Sequence, residues 1–223
     1  MSDDTFYPAK SGPNVPLVIV CGCVIALLSF GPRSAMGFFF QPMTEAHDWS
    51  REIFALAIAI QNLIWGAAQP VAGMMADRYG TWKTMSLGAV LYAAGLLLMA
   101  NAETPMALHL SGGVLIGLGI AFSSFSLVIA AFGRVVTPEQ RSIAFGIGTA
   151  SGSLGQFVFA PLGNSLIEGF GWQETLIVFS GLLMAIPLLA IALRGRPHAP
   201  ASMGLGPDQS LTQAMAEAFG TRS

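Results

Sequence analysis

Charged side chains are scarce in this sequence. Only 10% of its 223 residues are charged, whereas 53% are hydrophobic, and the mean hydropathy is +0.64. Soluble globular domains carry about 25% charged residues. The shortage therefore excludes an ordinary soluble domain and predicts a membrane protein that contacts lipid.

Other classes of protein are excluded by what is missing. A net charge of −2 without a basic patch argues against a nucleic-acid partner. The two cysteines, Cys21 and Cys23, would point to nearly opposite sides of a helix, so they predict neither a disulfide nor a metal site. No H-E-x-x-H, no phosphate-cradling loop before a lysine and no suitable Ser/His/Asp set occurs. We therefore expect no enzyme activity, no metal and no cofactor.

Six apolar runs are each long enough to cross a bilayer of about 30 Å. We predict an all-α membrane protein with spans near Val15–Phe40, Ile53–Met75, Thr84–Ala100, Leu108–Phe132, Ile143–Ile167 and Thr175–Leu193. Residues 1–14 are expected to form a cytoplasmic tail and residues 15–194 a six-helix transmembrane unit. Residues 195–223 are expected to form a cytoplasmic linker, in which Ser210-Leu211-Thr212-Gln213 resembles a capping box that opens a short amphipathic helix.

The basic residues predict the orientation. If there are six spans, one side carries Lys10, Arg78, Lys83, Arg134, Arg141, Arg194, Arg196 and Arg222, and the other side carries only Arg51. Basic residues are enriched in cytoplasmic loops, so both termini are expected in the cytoplasm. We expect an integral protein of the plasma membrane, which in a bacterium is the inner membrane.

The spans differ in composition. The third and sixth are almost uniformly apolar and are expected to face lipid. The other four carry polar and small residues, including Gly113-x-x-x-Gly117, Gly148-x-x-x-Gly152 and Ser151-x-x-x-Gly155. Such spacings predict close packing between helices.

A charged loop lies between the second and third spans. Its expected functional positions are Gly73, Asp77, Arg78, Gly80 and Lys83. A glycine at the membrane edge allows another helix to approach, a carboxylate at a helix end can pair with a cation, and the second glycine allows a turn with positive φ. The alternative is a solvated loop that only obeys the positive-inside rule.

This loop resembles the signature G-x-x-x-D-R/K-x-G-x-R/K-R/K of the major facilitator superfamily, except that Trp82 stands where the first of the final basic residues is expected. Several further stretches are similar to the monocarboxylate-permease and oxalate/formate-antiporter branch: Gly31-Pro32-Arg33-Ser34-Ala35-Met36-Gly37, Gln41-Pro42, Asp48-Trp49-Ser50-Arg51, Gln69-Pro70, Arg141-Ser142-Ile143-Ala144-Phe145-Gly146 and Gly171-Trp172. The resemblance implies the N-terminal six-helix half of an alternating-access transporter, with a second half or a second copy as partner. Gly113 stands where many proton-coupled members carry arginine, which argues against drug export.

Arg33 is the strongest candidate for a substrate-binding residue. A cation inside a span is unfavourable unless it is paired or faces a watery cavity. It is expected toward the outer half of the first span, where a carboxylate substrate would be a fitting partner. The alternatives are a structural ion pair or a side chain that reaches the interface.

Weaker candidates for substrate binding are the polar residues inside the second, fourth and fifth spans, namely Gln61, Asn62, Ser123 and Gln156. They could line a solute path or hydrogen-bond between helices. The histidines, His47, His109 and His198, lie at loops or span ends and are expected to be solvated.

Two functions follow. The first is a secondary active transporter for a small organic anion such as a monocarboxylate, represented here by its N-terminal half. The alternative is a truncated or non-transporting six-helix protein that acts as an assembly partner.

Overall fold

The computed structural model describes residues 14–194, which form six long apolar helices and no strand. They are α1 (Val15–His47), α2 (Arg51–Tyr79), α3 (Thr81–Ala100), α4 (Pro105–Val135), α5 (Pro138–Phe170) and α6 (Trp172–Leu193). Each predicted span lies inside one of these helices, so the six-span prediction is confirmed. The expected N-terminal tail, apart from Asn14, and the linker with its short helix lie outside the described residues.

The first helix is longer than predicted. Asn14 caps its start by accepting a hydrogen bond from the Leu17 amide at 3.5 Å. The helix is briefly interrupted at Ala35 and then continues through Pro42 to His47. Proline is tolerated in membrane helices because neighbouring groups satisfy the freed backbone. Arg33 lies just past the middle of α1, 18 residues after Val15 and 14 before His47, in the half that was expected to face outward.

Glycines bring helices into backbone contact. A Cβ atom added to Gly155 of α5 would lie 2.4 Å from the Leu27 carbonyl oxygen of α1. One added to Gly117 of α4 would lie 2.8 Å from the Gln61 carbonyl oxygen of α2. The predicted close packing at the small-residue spacings is therefore confirmed, and it sets the α1–α5 and α2–α4 separations.

The expectation that α3 faces lipid is wrong for much of its surface. In its most apolar stretch 56% of the residues are buried, against 22% in α2 and 28% in α5. Tyr92 of α3 is fully buried, and Gly119 of α4 packs against its backbone. Lipid and protein interiors are equally apolar, so composition alone does not separate a lipid-facing helix from an internal one.

The fourth helix is irregular within the membrane. It contains a π-helical segment, His109–Leu115, and a break at Ser123–Ser124. Backbone groups in a membrane need partners inside the protein. Two side chains supply them here: Gln61 donates to the Gly112 carbonyl at 2.8 Å, and Ser29 donates to the Ser123 carbonyl at 3.0 Å.

One end of the bundle, which we call the basic end, joins α3, α4 and α6. The Trp82 indole donates to the Pro187 carbonyl at 3.1 Å, and Arg134 donates to the Leu193 carbonyl at 3.1 Å. The Arg194 guanidinium carbon lies 4.9 Å from the centroid of the Trp82 ring. Trp82 thus replaces a basic residue of the loop signature with a contact that holds the end of α6.

The opposite end, which we call the aromatic end, is closed by three rings. His47 stacks on Trp49 with ring centroids 4.4 Å apart and meets the edge of Trp172 at 5.9 Å. His109 contacts the Ile53 carbonyl at 3.1 Å. These two histidines are half-buried, so each has one side packed against the protein, and His198 lies outside the described residues.

Candidate functional site

The guanidinium of Arg33 lies between α1 and α2. One of its terminal nitrogens donates to Asn62 Oδ1 at 2.6 Å, and its central carbon lies 4.7 Å from the centroid of the Trp65 ring. The Asn62 amide nitrogen donates to the Ile58 carbonyl at 2.8 Å, which turns its oxygen toward Arg33. Asn62 and Trp65 lie on one face of α2 because they are three positions apart. The structure thus brings two of the predicted binding residues, Arg33 and Asn62, into direct contact.

The charge of Arg33 is not balanced by a nearby carboxylate. Within residues 14–194 every acidic residue lies between helices or within two residues of a helix end. At a rise of 1.5 Å per residue, Glu45 lies about 18 Å along α1 from Arg33, and Asp77 lies about 18 Å along α2 from Trp65. A half-buried cation paired only with a neutral amide is unfavourable at mid-membrane depth unless it meets water or an anion. The site therefore favours an anion.

Three polar atoms beside this cation are buried and have no hydrogen-bond partner: Arg33 Nε, Trp65 Nε1 and the Tyr92 hydroxyl oxygen. Trp65 lies at the midpoint of α2, and the Tyr92 hydroxyl approaches from α3 toward the backbone amide of Arg33. Buried polar groups are normally paired, so such a cluster needs an explanation. Neither residue belonged to the predicted site. The spacing of Trp65 from Asn62 was a usable signal, whereas nothing in the sequence pointed to Tyr92.

The other predicted binding residues differ in placement. The Gln61 side chain is only 1% exposed and bonds to the Gly112 carbonyl. Ser123 is fully buried, and its hydroxyl bonds to the Gly119 carbonyl at 2.7 Å. Gln156 is exposed, and its backbone oxygen accepts a hydrogen bond from Ser34 at 3.3 Å, next to Arg33. Gln61 and Ser123 thus serve helix contacts, and the roles of all three in substrate binding stay predictions.

The charged loop lies at the basic end. Gly80 adopts a φ of 95° between α2 and α3, which is the turn expected there. A Cβ atom added to Gly73 would meet nothing within 4 Å, so the structure shows no helix against it. Asp77 is exposed and is within electrostatic reach of Arg134. Arg78 lies over the Tyr79 ring at 5.5 Å, and Lys83 is exposed. The conformational role of this loop stays a prediction.

Comparison with known proteins places the sequence among transporters. Residues 22–220 match the profile of the Major Facilitator Superfamily. Human monocarboxylate transporter 11 is 29% identical over 182 residues, which are 78% of this chain and 37% of that protein. Monocarboxylate transporter 3 of Gallus gallus is 27% identical over 75% of this chain and 31% of that protein. YcxA of Bacillus subtilis (strain 168), an uncharacterised MFS-type transporter, is 27% identical over 76% of this chain and 42% of that protein. The chain therefore spans less than half the length of these relatives.

Proposed function

The chain belongs to the Major Facilitator Superfamily, and from this premise we propose that it is the anion-recognising six-helix half of a secondary active transporter. Its substrate is a small organic anion such as a monocarboxylate. It is an integral membrane protein of a transporter family and acts by binding and moving a solute, not by chemical conversion.

One observation carries the proposal: Arg33 is a cation in the middle of the bundle with only a neutral partner, Asn62. A bound carboxylate would balance the charge through short charge-assisted hydrogen bonds. The planar fork of arginine fits a carboxylate better than the point charge of a lysine does. The names of two relatives, both monocarboxylate transporters, support the same class of substrate.

The residues around Arg33 would line the solute path or hold the helices in place. Asn62 and Gln156 are exposed residues beside the cation, so they would line the path of the solute. Gln61 and Ser123 would hold the helices that carry them. Transporter sites lie between repeats near the middle of the membrane. The low burial of α2 and α5 supports a partner against those helices, either a second six-helix half or a second copy.

The orientation in the membrane and the charged loop between α2 and α3 are the remaining parts of the proposed mechanism. Arg134 and Arg194 gather at the basic end together with Arg78 and Lys83, which supports a cytoplasmic location for that end and both termini. The protein would lie in the plasma membrane, which in a bacterium is the inner membrane. During alternating access Asp77 would pair with cations in one conformation and release them in the other.

Uptake of radiolabelled lactate into proteoliposomes tests the proposal. The purified 223-residue chain should take up more lactate than empty liposomes, and Arg33→Ala should abolish the difference. Arg51→Ala is the matched control, because Arg51 lies at the aromatic end of α2. Uptake by this chain alone requires that a second copy supply the partner surface. Lactate binding without uptake would indicate that a second six-helix half is needed, whereas insertion with neither binding nor uptake would favour the alternative, a non-transporting assembly partner.

A further inference from the structure

We propose that Trp65 is a second anion-binding residue, whose indole N–H and the Arg33 Nε–H together receive the two oxygens of one carboxylate. This inference rests on the proposed function, because it names how the site would hold its substrate. The observation behind it is a pair of buried N–H donors without hydrogen-bond partners, in addition to the charge of Arg33.

The two unpaired donors, Arg33 Nε–H and Trp65 Nε1–H, require a hydrogen-bond acceptor. Arg33 Nε and Trp65 Nε1 are both buried and unpaired. Arginine and tryptophan side chains donate hydrogen bonds but accept none, so these two atoms cannot satisfy each other. The acceptor beside them, Asn62 Oδ1, is already used by a terminal nitrogen of Arg33. A ligand that brings at least two acceptor oxygens would satisfy both donors, once the side chains that cover these buried atoms move apart to admit it.

The stacking of the two residues restricts how such a ligand enters. The guanidinium carbon lies over the Trp65 ring, 4.7 Å from its centroid, so the indole shields that side of the cation. An anion must therefore approach the edge of the guanidinium, in the plane where its N–H bonds point. A planar carboxylate is suited to edge-on, two-point contact with donors of this kind.

The charge balance narrows the substrate class further. Arg33 is the one cation at this depth within residues 14–194, since the other lysines and arginines there lie at or near the ends of the helices. A monoanion would neutralise the site, whereas a dianion would leave a net negative charge inside the membrane. The site should therefore prefer monocarboxylates to dicarboxylates.

The direct test follows the indole N–H resonances of the full chain, labelled with ¹⁵N-tryptophan in detergent micelles. The sequence contains four tryptophans, and Trp65→Phe assigns the relevant signal by its loss. On titration with lactate, the Trp65 N–H proton should move downfield more than the other three. Lactamide, which has the same shape without the charge, should leave it in place, and succinate should require a higher concentration.

Variant affinities provide the second arm, measured from the thermal shift that lactate produces. Trp65→Phe keeps an aromatic face over Arg33 but removes the N–H, and the lost bond to a charged acceptor should weaken lactate binding at least tenfold. Trp82→Phe is the matched control, because Trp82 bonds to Pro187 at the basic end and should leave the affinity unchanged. The resonance shift is measured on the unsubstituted chain, so it does not depend on how well a variant folds.

The outcomes separate this inference from the proposed function. If Arg33→Ala loses lactate binding while Trp65→Phe keeps it and the Trp65 resonance stays in place, the role of Trp65 is refuted and the proposed function stands. If lactate neither stabilises the unsubstituted chain nor moves any indole resonance, the proposed function fails, and the role of Trp65 fails with it.

Discussion

The α1–α5 seam should tolerate almost no added volume at Gly155. In Gly155→Ala, the new Cβ would lie 2.4 Å from the Leu27 carbonyl oxygen, whereas ordinary van der Waals contact begins at 3.4 Å. The two helices must therefore separate by about 1 Å, because a backbone carbonyl cannot rotate away. Overpacking of this kind destabilises proteins by about 1–3 kcal/mol.

The net effect can be estimated from two opposing contributions. Alanine is favoured over glycine inside a helix by about 1 kcal/mol. With the clash at the upper end of its range, Gly155→Ala should lower the free energy of unfolding by about 2 kcal/mol. Arg33 follows Leu27 by six residues on the same helix, so the displacement should also weaken the contact with Asn62 and lower lactate affinity.

Thermal denaturation of the purified chain, with and without lactate, measures both effects. Gly146→Ala is the matched control, because it lies on the same helix and its added Cβ would meet nothing within 4 Å. The control should be as stable as the parent or slightly more stable. Equal stability of Gly155→Ala and Gly146→Ala would refute the argument that this glycine sets the α1–α5 distance.

Three further predictions concern the loop, the buried amide and the orientation. Asp77→Asn should alter the maximal rate of lactate uptake by proteoliposomes while the affinity for lactate stays within about twofold, and an unchanged rate would refute a conformational role for this carboxylate. Gln61→Leu should lower the free energy of unfolding by about 0.6 kcal/mol, typical of one hydrogen bond between membrane helices, with no loss of lactate affinity in thermal-shift titrations. A large loss of affinity would instead place Gln61 in the binding site. Single cysteines at Ser2 and Ser223, in a background without native cysteines, should resist an impermeant maleimide in intact cells, whereas one at Glu103 should react. Labelling of either terminus from outside would contradict the orientation.

The sequence was sufficient for the six spans because each apolar run is close to the thickness of a bilayer. It was insufficient for where the helices end and which faces are buried. Helix α1 continues past Pro42 because membrane helices accommodate proline, and α3 is buried because apolar side chains suit protein and lipid equally.

The candidate site was predicted only in part, because sequence composition identifies unusual residues but not how the helices face one another. Arg33 is conspicuous as a charge inside an apolar run, and Asn62 as a polar residue in the next one. The placement of Trp65 and Tyr92 beside Arg33 depends on how α1, α2 and α3 are rotated about their axes. Periodicity within one helix does not determine that rotation relative to another helix, so these contacts emerge only from the assembled bundle.

Carboxylate affinity across substitutions of Arg33 is the sharpest test of the claim that this residue recognises an anionic substrate. Lactate and lactamide would be titrated against the parent chain, Arg33→Lys, Arg33→Ala and the control Arg51→Ala, with binding followed by thermal shift. Lactate should stabilise the parent and Arg51→Ala, should stabilise Arg33→Lys only at concentrations at least tenfold higher, and should have no effect on Arg33→Ala, while lactamide should affect none of them. Lactate binding by Arg33→Ala with the affinity of the parent would contradict the claim and leave Arg33 a structural residue.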